Sequence, residues 1–166
     1  SARERHVTRS TFGAELFAAC DTVDMCMLLA CLQHQVDYGT ITPSIARQCR
    51  ETNGWKVEID LGLDAYSVYA AVTAYQVKPP AEKALLSHVQ YLRELLDRGI
   101  LNSLVWLDTR DMATDGLTKG AVERIDLHIV MSGKYQVRYK QERWSAKMNV
   151  SKFGGATHQV DFIVLQ

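Results

Sequence analysis

Apolar residues recur through the first part of the chain at the spacing of one helical face. From residue 11 to residue 37 they fall mostly three or four positions apart, which is the period of a helix with a buried stripe. Ser10 or Thr11 suits the N-cap position, and Gly39 closes the segment. The pattern therefore predicts one long helix over 11–37. The apolar stripe consists of Phe12, Leu16, Ala19, Val23, Met27, Ala30 and Leu32.

Shorter segments with strand-like and helix-like patterns follow this helix. Pro43 opens a short helix over 43–48, since proline is favoured in a first helical turn. Asn53-Gly54 is a turn signal, and Gly99 suits the end of a helix. The predicted elements after the short helix are a strand over 56–63, helices over 67–75 and 81–98, a strand over 101–107 and a helix over 114–124.

The C-terminal part of the chain has the pattern of a β-hairpin. Residues 127–131 and 134–140 are strand-like and flank Ser132-Gly133, a two-residue turn with glycine at one centre. Residues 160–165 predict a further strand, after a break at Gly154-Gly155.

The composition is that of an ordinary globular protein and does not indicate a particular ligand. The 166 residues are 47% hydrophobic, 23% charged and without net charge, and no apolar run reaches the roughly twenty residues of a membrane span. Three of the four cysteines fall in the apolar helical segment without the paired spacing of a zinc site. They predict packed free thiols in a reduced, intracellular protein. The cysteines are Cys20, Cys26, Cys31 and Cys49.

Three separated acidic motifs resemble the ribonuclease H domain of copia-type retrotransposon polyproteins. In order they are Ser10-Thr11-Phe12-Gly13-Ala14-Glu15, Asp64-Ala65-Tyr66-Ser67-Val68 and Ala113-Thr114-Asp115-Gly116-Leu117-Thr118-Lys119. The resemblance covers roughly residues 7–125. It implies an α/β, ribonuclease H-like fold over 1–125, with a truncated mixed sheet and flanking helices, followed by a basic hairpin and tail over 126–166.

The resemblance implies that Glu15, Asp64 and Asp115 converge on one carboxylate cluster. In the family four carboxylates hold two Mg²⁺ ions that cleave RNA in an RNA·DNA hybrid, and carboxylate oxygens suit this hard cation. The family's first Asp lies on a strand before the Glu helix, and that strand has no counterpart here. We therefore expect a non-catalytic site without a cofactor, or a Mg²⁺ site if the domain is active. Each acid alone also suits a helix start.

Two other acids are candidates for the fourth carboxylate. Asp60 alternates onto the same strand face as Asp64, and Asp161 lies on the predicted terminal strand. The missing first strands have a second consequence, because the strand over 56–63 becomes a sheet edge that soluble proteins cover or pair. We expect a strand partner for 56–63, either residues 160–165 or a neighbouring chain.

A basic segment follows the motifs. Residues 134–152 carry a local excess of five positive charges, which predicts contacts with nucleic-acid phosphates, and Trp144 with Arg143 could stack on a base. The alternative is a solvated edge strand protected by lysine. The predicted nucleic-acid-binding residues are Lys134, Arg138, Lys140, Arg143, Trp144 and Lys147.

These features predict a retrotransposon-derived domain that binds RNA or protein subunits within a larger ribonucleoprotein. They predict no binding to a membrane. An organellar ribosome, in the mitochondrion for example, is the most concrete such assembly. One alternative is an active ribonuclease H whose first Asp comes from upstream or from another chain. A purely structural adaptor that binds protein alone is the third hypothesis.

Overall fold

The chain folds as a mixed α/β structure, described here from a computed structural model that defines residues 10–55, 57–76, 80–112 and 125–145. Its helices are α1 (Thr11–Tyr38), α2 (Pro43–Thr52), α3 (Tyr66–Thr73), α4 (Leu86–Asp97) and α5 (Ile125–Met131). Its strands are β1 (Asp60–Leu63), β2 (Ser103–Leu107) and β3 (Gln141–Trp144). Short 3₁₀ turns lie at Lys83–Leu85 and Thr109–Asp111.

The long first helix forms as the apolar pattern predicts. Its N-cap Ser10 accepts a hydrogen bond from the Gly13 backbone N–H to the side-chain oxygen at 3.2 Å, which satisfies one of the unpaired donors of the first turn. The helix ends at Tyr38 because Gly39 adopts a positive φ of 85°, and the Gly39 N–H donates to the Gln35 carbonyl. The buried face includes Leu16, Ala19, Val23, Met27 and Ala30.

Three strands form one mixed sheet in the order β1-β2-β3. β1 and β2 are parallel, with Asp60 opposite Ser103, and the crossover between them contains α3 and α4. β3 is antiparallel to β2, with Trp144 opposite Leu104. β3 comes from the part of the chain expected to form a separate tail, and it extends the sheet directly.

Two predicted elements are shorter than their patterns implied. β1 begins at Asp60 rather than at residue 56, although the Ile59 carbonyl already accepts a hydrogen bond from the Asn102 N–H at 2.8 Å. The helix predicted over 81–98 begins as a 3₁₀ turn and becomes α-helical only at Leu86. It ends beside Gly99, whose φ is 70°.

The predicted hairpin over 127–131 and 134–140 is wrong. Residues 125–131 are helical, and Ser132-Gly133 ends this helix α5 instead of turning a hairpin. The Lys134 N–H donates to the Ile129 carbonyl and the Gly133 N–H donates to the Val130 carbonyl, while Gly133 has a φ of 69°. This pair of bonds is a Schellman motif. The C-terminal strand of the sheet is instead β3, at 141–144.

Core packing joins α1, α3 and α4 to one another and to the sheet. Val68, Val72, Val89, Leu92 and Leu96 are essentially inaccessible to solvent. The Tyr91 hydroxyl, on α4, donates to the Asp24 carboxylate of α1 at 2.5 Å. The predicted helix over 114–124 and the predicted strand over 160–165 lie outside the described residues.

Candidate functional site

Glu15 and Asp64 occupy the ends of two elements, as the acidic motifs imply. Glu15 is exposed and lies just past the first turn of α1, which contains no acidic residue. Asp64 is half-buried and directly follows β1, and its backbone carbonyl accepts a hydrogen bond from the Trp106 Nε1 at 2.9 Å. Asp115, the third member of the expected cluster, lies outside the described residues.

The direction of α1 brings its first turns to the end of the sheet where Asp64 lies. Ala30 and Gln33, in the C-terminal half of α1, line a groove with the segment 57–60 that leads into β1. The N-terminal half of α1 contacts the start of α4, where the rings of Phe17 and His88 lie 4.6 Å apart. α1 therefore runs antiparallel to β1. Convergence of the three acids stays a prediction, because one of them is not described.

The described part of the chain holds no complete metal centre. Within residues 10–55, 57–76, 80–112 and 125–145, no three His, Cys, Asp or Glu side chains lie close enough together to hold an ion. Glu15 lies near the start of α1 and Asp64 directly follows β1. Carboxylate oxygens are the ligands that suit Mg²⁺, so the chemistry of these two side chains fits the expected ion.

Asp60, the alternative carboxylate on β1, is held by protein donors. Its Oδ1 accepts hydrogen bonds from Asn102 Nδ2 at 2.9 Å and from the Arg143 guanidinium at 3.2 Å. The Ser103 hydroxyl donates to the same oxygen. A guanidinium already compensates this carboxylate, so Asp60 is a structural link between β1 and β3 in this fold. Asp161, the other alternative, lies outside the described residues.

Three of the predicted nucleic-acid-binding side chains make contacts within the chain. Arg143 bonds to Asp60 across the sheet, and the Lys140 Nζ lies 2.9 Å from the Glu142 carboxylate. The hydrogen bond with Glu142 raises the pKa of Lys140. Trp144 is half-buried, and the Arg93 guanidinium lies 4.9 Å from the centre of its ring. The indole therefore contributes to the fold and is not presented freely to a base.

Lys134 and Arg138 remain directed to solvent. They lie in the segment 134–140, where Tyr135 and Val137 are half-buried while Lys134, Gln136 and Arg138 are exposed. Exposed and half-buried residues therefore alternate over 134–138, although this segment is not a strand. In the described part of the chain neither cation forms an ion pair. Lys147 lies outside the described residues.

Asp111 has a structural role that the sequence does not indicate. It is 5% exposed, and its carboxylate accepts the backbone N–H groups of Tyr139 at 2.7 Å and Arg138 at 3.2 Å. The Tyr135 hydroxyl donates to the Asp111 carbonyl. No local pattern marks this residue, because its partners lie far along the chain. Asp111 thus holds the basic segment against the loop after β2.

A cleft between α1 and α2 was not anticipated from the sequence. Its volume is about 590 Å³, and Arg47, Arg50 and Trp55 contribute to its lining together with Asp24 and apolar residues of α1. The two arginines are exposed, whereas the Trp55 indole is buried and its Nε1 has no hydrogen-bond partner within the described residues. The cleft is open to solvent and has no convergent catalytic groups.

The cysteines behave as packed thiols. All four are free, and Cys20 is buried with its Sγ directed toward the His88 carbonyl. Burial, with smaller contributions from the negative charges of Asp24 and Asp21, raises the pKa of Cys20 to about 12. Burial also raises the pKa of Cys26. The thiolate, which is the reactive form, is therefore strongly disfavoured at Cys20.

The class that these observations define is a mixed α/β structure with a three-stranded mixed sheet. No helix in the described residues is long and apolar enough to cross a membrane. No protein-family model matches the chain, and neither a curated protein nor a solved structure matches it.

Proposed function

We propose that this chain is a retrotransposon-derived, ribonuclease H-like domain that works as a non-catalytic binding component of a larger ribonucleoprotein. Apart from the short helix α2, the elements follow the order that the resemblance implies, namely a long helix, a strand, two helices and a parallel strand. Asp64 at the end of β1 and Glu15 near the start of α1 also fit it. An organellar ribosome is an assembly of the proposed kind.

The observation that carries the proposal is the edge position of β1. β1 pairs with β2 on one side, and no other strand among the described residues pairs with its second edge. Exposed and buried residues alternate along β1, so its unpaired N–H and C=O groups lie on a half-exposed edge that can accept another strand. A sheet that ends on such a strand is suited to joining another polypeptide segment.

Two observations favour binding over catalysis. The Arg143 guanidinium already compensates the charge of Asp60. In addition, the family has an Asn directly after the Asp of its second motif, whereas this chain has Ala65 after Asp64. The exposed cations Lys134 and Arg138 are available to phosphates, which matches a sequence-independent contact with RNA.

The runner-up is an active ribonuclease H completed by an Asp from elsewhere. The location of Glu15 and Asp64 at the same end of the sheet favours it. In that case the two carboxylates would help to hold Mg²⁺, which would activate water and stabilise the leaving oxygen.

A cleavage assay on an RNA·DNA hybrid decides between the two functions. The full chain is incubated with the hybrid and Mg²⁺ or Mn²⁺, beside the Asp64→Asn variant. We expect no metal-dependent cleavage by either protein. Cleavage by the unaltered chain that Asp64→Asn abolishes would refute the non-catalytic proposal and establish the nuclease.

A further inference from the structure

The cleft between α1 and α2 has the size and the apolar lining of a small-molecule site. Its volume of about 590 Å³ lies within the range of roughly 300–1,000 Å³ that is usual for such sites. Met27, Leu28 and Cys31 line it from α1, and Trp55 adds an aromatic ring. We call it the α1–α2 cleft. It offers a ligand apolar and aromatic contact area.

Two arginines of α2 add positive charge to this cleft. Arg47 and Arg50 lie three residues apart on the helix, so they share one of its faces, and both line the cleft. Both are exposed, and in the described part of the chain neither forms an ion pair. Guanidinium groups bind phosphate and carboxylate oxygens through paired N–H donors. The α2 side of the cleft therefore suits an anion.

Asp24 supplies a hydrogen-bond acceptor on the α1 side. It is the only acid among the described residues that line the cleft, so the two arginines outnumber it. Its Oδ1 accepts the Tyr91 hydroxyl at 2.5 Å, and its second oxygen can accept a further donor. Arg50 also borders a neighbouring recess that contains Glu94, but Glu94 is paired with Arg98. The cleft thus has cationic donors on one side and an acceptor on the other.

Buried polar atoms without partners are concentrated around Trp55. Within the described residues, Trp55 Nε1, Asn53 Oδ1 and His34 Nδ1 have no hydrogen-bond partner. Trp55 is 8% exposed and its ring lies 5.8 Å from the His34 ring, while Asn53 caps the C-terminus of α2. Buried polar groups are normally paired, because leaving them unpaired is costly. Their concentration favours a ligand that carries both donors and acceptors.

We propose that the α1–α2 cleft binds one nucleotide. The phosphate pairs with Arg47 and Arg50, and the base lies against Leu28 and Trp55 with an amino or imino donor toward Asp24. A free nucleoside monophosphate and a nucleotide within single-stranded RNA share this chemistry. The inference goes beyond the proposed function and does not depend on it, because a free nucleotide would satisfy the site.

The combination of groups selects a nucleotide over other anions. A phosphate has three acceptor oxygens that can engage two guanidinium groups, whereas one arginine is sufficient for the bidentate pair with a carboxylate. Inorganic phosphate would leave the apolar lining and Asp24 unused. An acidic peptide would supply carboxylates without a planar ring for the aromatic lining. A nucleotide joins a phosphate, a planar ring and hydrogen-bond donors in one molecule.

The test follows the indole N–H signal of Trp55 by NMR while AMP or UMP is added to the full chain. Trp55→Phe assigns this signal among the indoles of the protein. We expect a saturable shift with either nucleotide. Adenosine, inorganic phosphate and benzoate should each bind at least about tenfold more weakly than AMP, because each supplies only part of the recognised chemistry.

Matched variants separate the cleft from general charge attraction. Arg47→Ala and Arg50→Ala should each weaken AMP binding about tenfold, since each removes charge-assisted hydrogen bonds. Lys83→Ala removes the same charge at an exposed position that does not line the cleft, so it should leave binding unchanged. Circular dichroism confirms that the three variants are folded.

A second matched pair tests the apolar lining. Leu28 and Leu32 are both exposed on α1, at 61% and 58%, but only Leu28 lines the cleft. Leu28→Ser should therefore weaken AMP binding, whereas Leu32→Ser should not.

A single-stranded oligouridine without terminal phosphates identifies the source of the nucleotide. A shift of the Trp55 indole signal with this RNA assigns the cleft to RNA, whereas a shift with UMP alone assigns it to a free nucleotide. Either result supports the inference.

Three results would overturn it. The first is no saturable shift of the Trp55 signal with AMP, UMP or the RNA. The second is binding of inorganic phosphate or benzoate as tight as that of AMP, which would indicate a site for any anion. The third is an equal loss of binding in Lys83→Ala and Arg47→Ala. None of these results bears on hybrid cleavage, so the inference and the proposed function fail separately.

Discussion

The buried carboxylate of Asp111 accepts a hydrogen bond from the backbone N–H of Tyr139 at 2.7 Å. It joins the loop after β2 to the segment that leads into β3, far along the chain. The neighbouring Arg138 N–H donates to the same carboxylate, and Arg110 lies over the Tyr139 ring at 3.8 Å. One side chain thereby determines how the basic segment 134–140 crosses the end of the sheet.

Replacing Asp111 should destabilise the protein, because the substitution removes the carboxylate that accepts two backbone hydrogen bonds. Asp111→Ala leaves two backbone donors without their partner, and each buried unpaired group costs about 1–3 kcal/mol. We expect the free energy of unfolding to fall by about 2 kcal/mol or more in urea denaturation. Glu94→Gln is the control, because Glu94 is 63% exposed and its surface pair with Arg98 contributes little. Equal stability of the two variants would show that the Asp111 bonds are unimportant.

The Asp60–Arg143 pair should couple β1 to β3 across the central strand. The two side chains are 38% and 23% exposed, so solvent screening limits the gain to about 0.5–1 kcal/mol. A double-mutant cycle with Asp60→Asn and Arg143→Met measures this coupling by urea denaturation. Asp60→Asn alone should cost more than the coupling, because the carboxylate also accepts bonds from Asn102 and the buried Ser103. Strict additivity of the two substitutions would contradict the link.

The secondary structure of a long helix in this fold can be predicted from the sequence, whereas that of a short apolar segment cannot. Helix α1 is predictable because its apolar stripe persists over many turns and ends at glycine. The segment 125–131 is too short for its period to separate a helix from a strand, and its β-branched residues favoured the wrong choice. Ser132-Gly133 suits both a hairpin turn and a helix C-terminus, since both use glycine at positive φ.

In the candidate site, the positions of some residues could be predicted from the sequence, whereas the roles of others could not. The motifs identify the ends of elements, so Asp64 after β1 and Glu15 near the start of α1 lie where expected. The roles of Asp60, Arg143 and Trp144 depend on partners from distant strands and helices, which no local pattern reveals. The prediction that Leu32 belongs to the buried stripe of α1 is wrong, since Leu32 is 58% exposed and only the fold shows which face the core covers.

Gly133 should be required for the end of α5. Its positive φ of 69° suits glycine, and a side chain in this conformation costs roughly 1 kcal/mol. Gly133→Ala should therefore lower the free energy of unfolding by about 1 kcal/mol in urea denaturation. Gly133→Asn should cost less, since asparagine tolerates this conformation better. If alanine and asparagine are tolerated as well as glycine, the helix does not end through this motif.

Cys20 should be the least reactive thiol of the native protein. Its pKa is raised from the ordinary 9.0 to about 12, mainly by burial, so little thiolate exists at pH 8. Alkylation followed by mass spectrometry should label Cys20 at least tenfold more slowly than the half-buried Cys49, and urea should remove the difference. Rapid native labelling of Cys20 would contradict its place in the core.

The same shift predicts how stability depends on alkaline pH. The unfolded thiol releases its proton near pH 9, whereas the folded thiol keeps it to about pH 12. The unfolded state therefore binds fewer protons in this window, and the free energy of unfolding falls as pH rises from 9 toward 12. Cys20→Ala should show a shallower decline in urea denaturation. An unchanged pH dependence in this variant would mean that Cys20 ionises alike in both states.

If the chain binds RNA through its basic segment, Lys134 and Arg138 should carry that binding. Both cations are exposed and unpaired within the described residues, while Lys140 and Arg143 are paired with carboxylates. Each phosphate contact releases roughly one counterion from RNA, so Lys134→Ala and Arg138→Ala should each reduce the slope of log affinity against log salt by roughly 0.7.

Lys140→Ala is the matched control and should change the slope less, because Glu142 already competes for its ammonium group. Fluorescence anisotropy with a single-stranded RNA at several salt concentrations measures the slopes. Equal losses at all three positions would instead indicate a diffuse electrostatic surface in which the intramolecular pairs play no part.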